Sequence, residues 1–305
     1  MRVFVTGGSG HIGSALVPEL LGAGHQVIAL ARSDVSAGKL ADAGAEVRRG
    51  DLDDLDAVGQ AAAGADGVIH LAYRRDLMHS GDVAGLIATN LKVVEAVGAA
   101  LAGSGRPFVT PLGTLALWAA GITGRPGTED DAVGSGPMAE TENATLALAA
   151  RGVRASVVRL APVVHSTLDT QGFTPALIGI AREQGAAAYV GDGANRWPAV
   201  HTLDAARLFR LALESAPAGS RLHGVAEEGV PFREFAEAIG RNLGLPAASI
   251  APGDAAGHFG FLGLFAAADN PASSALTRQR LGWAPAGPGL IADLDDGHYF
   301  GRPGQ

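Results

Sequence analysis

The residues with the clearest chemical meaning stand at the head of the sequence. Thr6-Gly7-Gly8-Ser9-Gly10-His11-Ile12-Gly13 follows a short apolar run, Arg2-Val3-Phe4-Val5, and leads into a segment of helical periodicity from Ser14 to Gly24. Glycines at Gly7, Gly10 and Gly13 suit a strand, a tight turn and a helix. The first allows the turn, the second lets a diphosphate approach the backbone, and the third lets the helix pack closely on the strand. The phosphates of a dinucleotide would then rest on free N–H groups at the helix N-terminus. The next strand, Gln26 to Leu30, runs into Ala31-Arg32-Ser33 without an acid at its end. An acid there binds a ribose 2′-hydroxyl and repels a 2′-phosphate, whereas a guanidinium grips the phosphate. The sequence therefore favours NADP over NAD, with Arg32 and Ser33 at the additional phosphate. The alternative makes Arg32 a solvated loop residue and gives the ribose to Asp34.

Hydride chemistry at a carbonyl needs a group that polarises or protonates it. Three side chains are candidates. Tyr73 follows the apolar run Gly67 to Ala72 and has Arg74 beside it as a charge partner. Thr114 lies just beyond the strand ending at Thr110; it can orient a carbonyl but is too weak an acid to act alone, and it serves equally well as a turn former. His165 follows Pro162-Val163-Val164, and histidine exchanges a proton near neutral pH. Farther on, Phe173, Tyr189 and Trp197, with Trp118 from the first half, form a candidate aromatic wall for an apolar or ring-bearing substrate, with Arg196 next to Trp197. The competing reading puts these aromatics in the core. His201 reads as a structural link between lobes, and His70 and Arg159 as buried strand residues. No metal is expected: the histidines are scattered, with no His-x-x-x-His and no carboxylate pair at ligand spacing. The acidic run Asp51 to Asp56 lacks the glycine and terminal glutamate of a calcium loop, and suits the start of a helix instead.

The elements that must position these residues alternate between strand-like and helix-like patterns, the signature of a parallel sheet covered on both faces. Strands are expected over Glu46 to Asp51, Gly67 to Ala72, Pro107 to Thr110 and Ala155 to Leu160, with helices over Asp53 to Ala62, Asp82 to Leu101 and Glu140 to Ala150. Between Pro111 and Pro137 the pattern dissolves into a long loop rich in Gly, Pro and Thr. Past Ala161 come a helix from Thr174 to Glu183, an extended Ala187 to Val190, and Val200 to Asp204 entering a helix capped by Thr202 or Asp204. An amphipathic segment runs from Pro231 to Leu243. The expected fold is α/β, a Rossmann-type doubly wound parallel sheet with a smaller C-terminal substrate lobe. Residues 1–161, with 198–225 returning to them, form the dinucleotide unit; 162–197 and 226–305 form the lobe and tail.

The 305 residues suffice for such a core. With 18% charged residues and a formal charge of -8, the chain lacks the basic footprint that nucleic acid requires. There are no cysteines, which excludes disulfides, thiolate metal sites and cysteine nucleophiles. The sequence begins directly in a strand and contains no apolar run of spanning length, so a cytoplasmic protein without a membrane partner is expected.

Thr6 to Gly13, Gly50-Asp51-Leu52, His70-Leu71-Ala72 and Val157 to Val164 together resemble the extended short-chain dehydrogenase/reductase superfamily, of the NAD-dependent epimerase/dehydratase type. Val200 to Asp204 and Leu281-Gly282-Trp283-Ala284-Pro285 match its later landmarks, so the resemblance covers nearly the whole chain. It implies that Asp51 and Leu52 flank the adenine, that Leu71 and Ala72 line the cofactor floor, that Ala161 to Val163 pass the nicotinamide, and that Asn90 hydrogen-bonds near the site. It also implies a homodimer through the helices of the Asp82 and Glu140 segments. The superfamily's acid/base pair, Tyr-x-x-x-Lys, occurs nowhere here; counting back from Glu142 and Gly152 places its positions near Gly134 and Met138. The expected protein is thus an atypical member: an NADP-dependent oxidoreductase of a small apolar or aromatic carbonyl or enone. The alternatives are an epimerase or dehydratase with no net redox change and a non-catalytic NADP sensor.

Overall fold

The computed structural model describes residues 1–74, 77, 82–134 and 136–301, with backbone only at 137 and 138. Seven strands form the central sheet: β1 (Arg2–Thr6), β2 (Gln26–Ala31), β3 (Glu46–Arg49), β4 (Gly67–His70), β5 (Pro107–Gly113), β6 (Arg154–Leu160) and, entering late, β10 (Ser220–Gly224). Their order is β10-β6-β5-β4-β1-β2-β3, and each pairing is parallel. This is the doubly wound Rossmann-like arrangement. Its order reverses between β1 and β4, the place where open parallel sheets bind ligands. The central strands β1, β2 and β4 are largely apolar and buried because both faces are covered, whereas edge strand β3, Glu46-Val47-Arg48-Arg49, is part-exposed. Helices 11–22 and 202–215 pack on one face, where Leu16, Val17, Leu20, Leu208 and Phe209 are buried. Helices 55–63 and 83–101 cover the other with Val58, Val93, Val94, Val97 and Leu101. Among the described residues, Val83–Leu101 is the one helix long and apolar enough to cross a membrane; its C-terminal half is buried in that core.

The smaller lobe is built from β7 (Val163–His165), β8 (Ala187–Val190), β9 (Arg196–His201), β11 (Glu227–Pro231) and β12 (Ala247–Ile250), paired as β11-β9-β7 and β12-β8. Its core centres on Trp197, which is 1% exposed and packs edge-on against Phe232 at 4.9 Å.

Three local expectations are corrected. The stretch expected to be a loop from Pro111 continues β5 to Gly113 and then forms a helix, Leu115–Ala119. Proline is tolerated there because β4 pairs with β5 only as far as Val109. Helix 202–215 is capped by His201, whose ring accepts from Leu203 N at 3.4 Å, and not by Thr202 or Asp204. Asp204 instead receives Ala286 N and Gly287 N at 2.9 and 2.8 Å, while Trp283 donates its indole N–H to the Asp204 carbonyl at 3.0 Å. The tail landmark therefore docks on this helix. The segment after Pro246 is also more ordered than a loop, since β12 extends β8.

Candidate functional site

The glycine turn is shaped as the spacing predicts. Gly7 has φ +73°, and a Cβ there would lie 2.6 Å from Ala72 N. Only glycine lets the turn after β1 press against the end of β4. A Cβ on Gly13 would collide with the Gly7 carbonyl and lie 2.6 Å from Gly8 Cα, so the helix starts tight against the turn. Gly10 differs: its Cβ would meet only Gly7 O, at 3.2 Å, and otherwise faces open space. That is the cradle a diphosphate needs. Thr6 ties β1 to β4, its hydroxyl lying 2.6 Å from His70 Nδ1 and accepting from Ala72 N at 3.3 Å.

From this turn a cavity of about 620 Å³ extends across the switch point. Gly7, Gly10, His11, Arg32, Asp51 and Leu52 line it, together with Ala72, Tyr73 and Arg74. Of the other residues assigned to the cofactor, Ile12 and Leu71 pack against the sheet core. Ser33 caps helix 34–42 by accepting from Ser36 N at 3.1 Å. Ala161 and Val163 are buried. Asn90 lies beside His70 and opposes the lowering of its pKa, and its buried Oδ1 has no hydrogen-bond partner among the described residues. Sequence reasoning missed Ser9, Ser14, Ser36 and Lys39, and a wall from the smaller lobe made of Thr167, Leu168, Thr170 and Gln171. Ser9 and Ser14 sit within the glycine motif and were open to discovery; the 167–171 segment carries no motif at all.

The three proton-transfer candidates are not brought together. Tyr73 is half-exposed and lines the cavity. Thr114 is fully buried, its hydroxyl accepting from Asn270 Nδ2 at 3.0 Å. His165 is turned into the lobe, Nδ1 against Asp293 Oδ2 at 2.8 Å and its ring edge-on to His201 at 5.6 Å. Arg74 pairs with Asp53 at 2.7 Å, holding the cavity rim. The proposed aromatic wall does not assemble around the cavity: Trp118 meets Phe265 at 6.5 Å, Phe173 meets buried Trp197 at 5.5 Å, and Tyr189 carries Arg233 over its ring. Arg196 forms a fork with Asp269 at 2.8 and 3.0 Å. Gly134, the counted-back tyrosine position, has open space where a side chain would begin; the side chain of Met138 lies outside the described residues.

Arg32 does not stand alone. Its guanidinium lies 3.9 Å from the Asp51 carboxylate, while Asp34 is engaged by Arg49. A 2′-phosphate carried to Arg32 would also meet the Asp51 charge, which repels it.

Beneath the glycine turn lies a buried polar cluster. Thr202 donates its hydroxyl to the His165 carbonyl at 3.1 Å, so His11 Nε2, 2.8 Å away, is the donor in the His11–Thr202 contact. His11 Nδ1 then faces Asp169 Oδ1 at 3.6 Å. Burial, with the charge of His165 adding, holds His11 down to about 4. Burial also lowers His70 to about 4 against an opposing hydrogen bond from Asn90, and it pushes the Asp169 carboxyl up to about 6, against the N–H groups of Gly172 and Gln171. The two histidines stay neutral in the fold while the unfolded chain protonates near 6.5. Their stabilisation is complete above pH 6.5 and is lost as pH falls towards 4. Asp169 works in the opposite direction between about 6 and 4, offsetting part of this. The urea midpoint is expected to fall across this window, and a His70→Gln variant to show a shallower fall; an identical slope would remove His70 from the account.

Residues 3–223 match the NAD dependent epimerase/dehydratase family, and the chain belongs to it. It is 46% identical over 302 residues to an uncharacterised protein of Schizosaccharomyces pombe, covering 98% of this chain and 100% of that one. It is 32% identical over 260 residues to a 2-alkyl-3-oxoalkanoate reductase of Stenotrophomonas maltophilia, covering 81% and 77%. Among solved structures, the dTDP-glucose 4,6-dehydratase DesIV of Streptomyces venezuelae with NAD bound superposes with a TM-score of 0.75 at 22% identity, covering 97% and 96%.

These findings correct two expectations. NADP is overturned as the preferred cofactor, because solved structures that share this fold, DesIV and MoeE5 among them, hold NAD, and the Asp51 carboxylate stands beside Arg32. The small apolar or aromatic carbonyl is overturned as the expected substrate class, because solved structures that share this fold include nucleotide-sugar dehydratases and epimerases and proteins that hold UDP-glucose.

Proposed function

We propose that the protein binds NAD and acts as an epimerase or dehydratase on a nucleotide sugar, with no net change in redox state. Residues 1–161 with 198–225 form the dinucleotide unit, and 162–197 with 226–305 form the substrate lobe, which also closes one side of the dinucleotide cavity with residues 167–171. The observation that carries this reading is the cavity running from the Gly7–Gly13 turn to Asp51, with an acid next to Arg32. The likeness to nucleotide-sugar enzymes supports the substrate class. NAD, when bound, supplies a reversible hydride acceptor for a carbinol carbon. The backbone N–H groups at His11 and beyond hold the diphosphate, and Asp51 accepts from the ribose hydroxyls. Leu52 borders the adenine, and Leu71 and Ala72 form the floor. Tyr73 exchanges the substrate proton, since it is the candidate that lines the cavity. The apolar and partly uncovered helix 83–101 pairs with its copy in a homodimer, to be checked by light scattering.

Two measurements test the proposal. Calorimetry is expected to show NAD binding more tightly than NADP, and incubation with dTDP-glucose or UDP-glucose to give product without accumulating NADH. No heat with NAD, or tighter binding of NADP, overturns the cofactor assignment. Tyr73→Phe is expected to lower kcat by about 100-fold with NAD affinity unchanged; full activity in that variant removes Tyr73 from the chemistry. The missing Tyr-x-x-x-Lys favours one second reading, a cofactor-binding sensor. Tight NAD binding without turnover of any nucleotide sugar would select it.

A further inference from the structure

The cavity wall from the smaller lobe is held in an unusual way. Thr167, Leu168, Thr170 and Gln171 face the cavity opposite the glycine turn, whereas Asp169 in their midst points away and is 4% exposed. Its Oδ1 accepts from Gly172 N at 2.7 Å and Gln171 N at 3.4 Å, closing the segment on itself. The Tyr299 hydroxyl donates to its Oδ2 at 3.3 Å and accepts from Ser166 N at 3.0 Å. The Ser166 hydroxyl in turn donates to Thr202 at 2.8 Å and accepts from Leu168 N at 3.1 Å. His11, in the glycine turn, donates its Nε2–H to Thr202, while its Nδ1 lies 3.6 Å from Asp169 Oδ1 with no hydrogen bond between them. Five side chains thus tie one short segment to the turn on its far side and to residue 299, none of them on the segment's cavity face.

We infer that residues 167–171 are a strap across the dinucleotide cavity, latched by Asp169 and Tyr299 to the His11–Thr202 contact, and that this latch sets how long the cofactor stays bound. The inference rests on the dinucleotide reading of the cavity and adds two positioning residues that touch no cofactor. The cofactor enters and leaves past Leu168, which is 38% exposed. With the latch made, the strap and the turn are one rigid unit; with it broken, the strap moves while the glycine cradle is untouched. Release then accelerates and association does not, because the diphosphate contacts that guide binding are unchanged.

Stopped-flow measurement of NAD binding and release, on the full chain and on Tyr299→Phe and Asp169→Asn, tests this. A rise in koff of at least about fivefold in both variants, with kon held within about twofold, is expected for the loss of one buried hydrogen bond. The control Arg241→Ala breaks an exposed pair with Asp295 elsewhere in the tail and should leave koff unchanged. Hydrogen exchange on the unaltered protein reads the strap directly: amides 167–171 should be protected by NAD, whether or not either variant folds. Unchanged koff in a folded variant, or no added protection at 167–171, overturns the latch. A wild-type chain that binds no NAD overturns the cofactor reading itself, an outcome separate from a failed latch.

Discussion

Replacing Glu142 by alanine is expected to cost about 3–5 kcal/mol of stability, the usual price of breaking a buried ion pair from one side. Glu142 and Arg159 have no exposed side-chain surface and meet in a two-pronged contact at 2.6 and 2.8 Å. Arg221 adds a second guanidinium to the same carboxylate at 2.8 Å, and Arg159 also donates to the Asp131 carbonyl at 2.8 Å. Removing the carboxylate leaves two cations sharing a site with one partner fewer, and Arg159, with no exposed surface, has no solvent contact to compensate. Glu142→Gln, which keeps the shape and loses the charge, should fall between wild type and alanine. Chemical denaturation decides: a loss below about 1 kcal/mol for the alanine variant would show the network to be energetically idle. The network joins β6 to helix 137–147 and to the Asp131 segment. A folded Glu142→Ala protein should therefore also lose order around Asp131 to Gly134.

Substituting the glycines of the turn separates packing from binding. Gly7→Ala places a methyl 2.6 Å from Ala72 N and forces φ +73° on a residue that resists it. Gly13→Ala drives a methyl into the Gly7 carbonyl. Each should lower stability by about 1–3 kcal/mol through strain and overpacking, and should weaken NAD by at least about tenfold as the cradle shifts. Gly10→Ala should leave the melting temperature near that of wild type, because its methyl meets only one carbonyl, yet it projects into the cradle and should weaken NAD comparably. Calorimetry and thermal melts on the three variants check this together. A Gly10→Ala protein that binds NAD as wild type does would mean the diphosphate lies elsewhere.

These two sites differ in how far the sequence reveals them. The strand, turn and helix from Arg2 to Gly22 were legible residue by residue, since the steric demands at Gly7 and Gly13 are local. The parallel sheet and the smaller lobe were legible from alternation, and so was the place of Tyr73 and Arg74 at the cavity, from their position after an apolar strand. Cofactor preference was misread at Arg32 because its acid, Asp51, comes from beyond the third strand; neighbours in space but distant in sequence escape a strand-end rule. The aromatic wall failed for a related reason. Trp197 and Phe173 carry no mark that tells a core ring from a pocket ring, and burial decided for the core. The 167–171 strap was invisible because an acid holding up a loop looks, in sequence, like any solvated acid. Short helix 115–119 hid behind Pro111 and the glycines that follow it.

The seventh strand of the central sheet has a consequence for how the protein can be divided. β10 reaches its place beside β6 only after the chain has passed through β7, β8 and β9 of the smaller lobe, and Trp283 from farther still is pinned to helix 202–215. A fragment ending near residue 161 would leave β6 as an open sticky edge and strip helix 202–215 from one face. Such a half should aggregate rather than behave as a free-standing nucleotide module, so the two lobes are to be engineered, swapped or expressed as one indivisible piece.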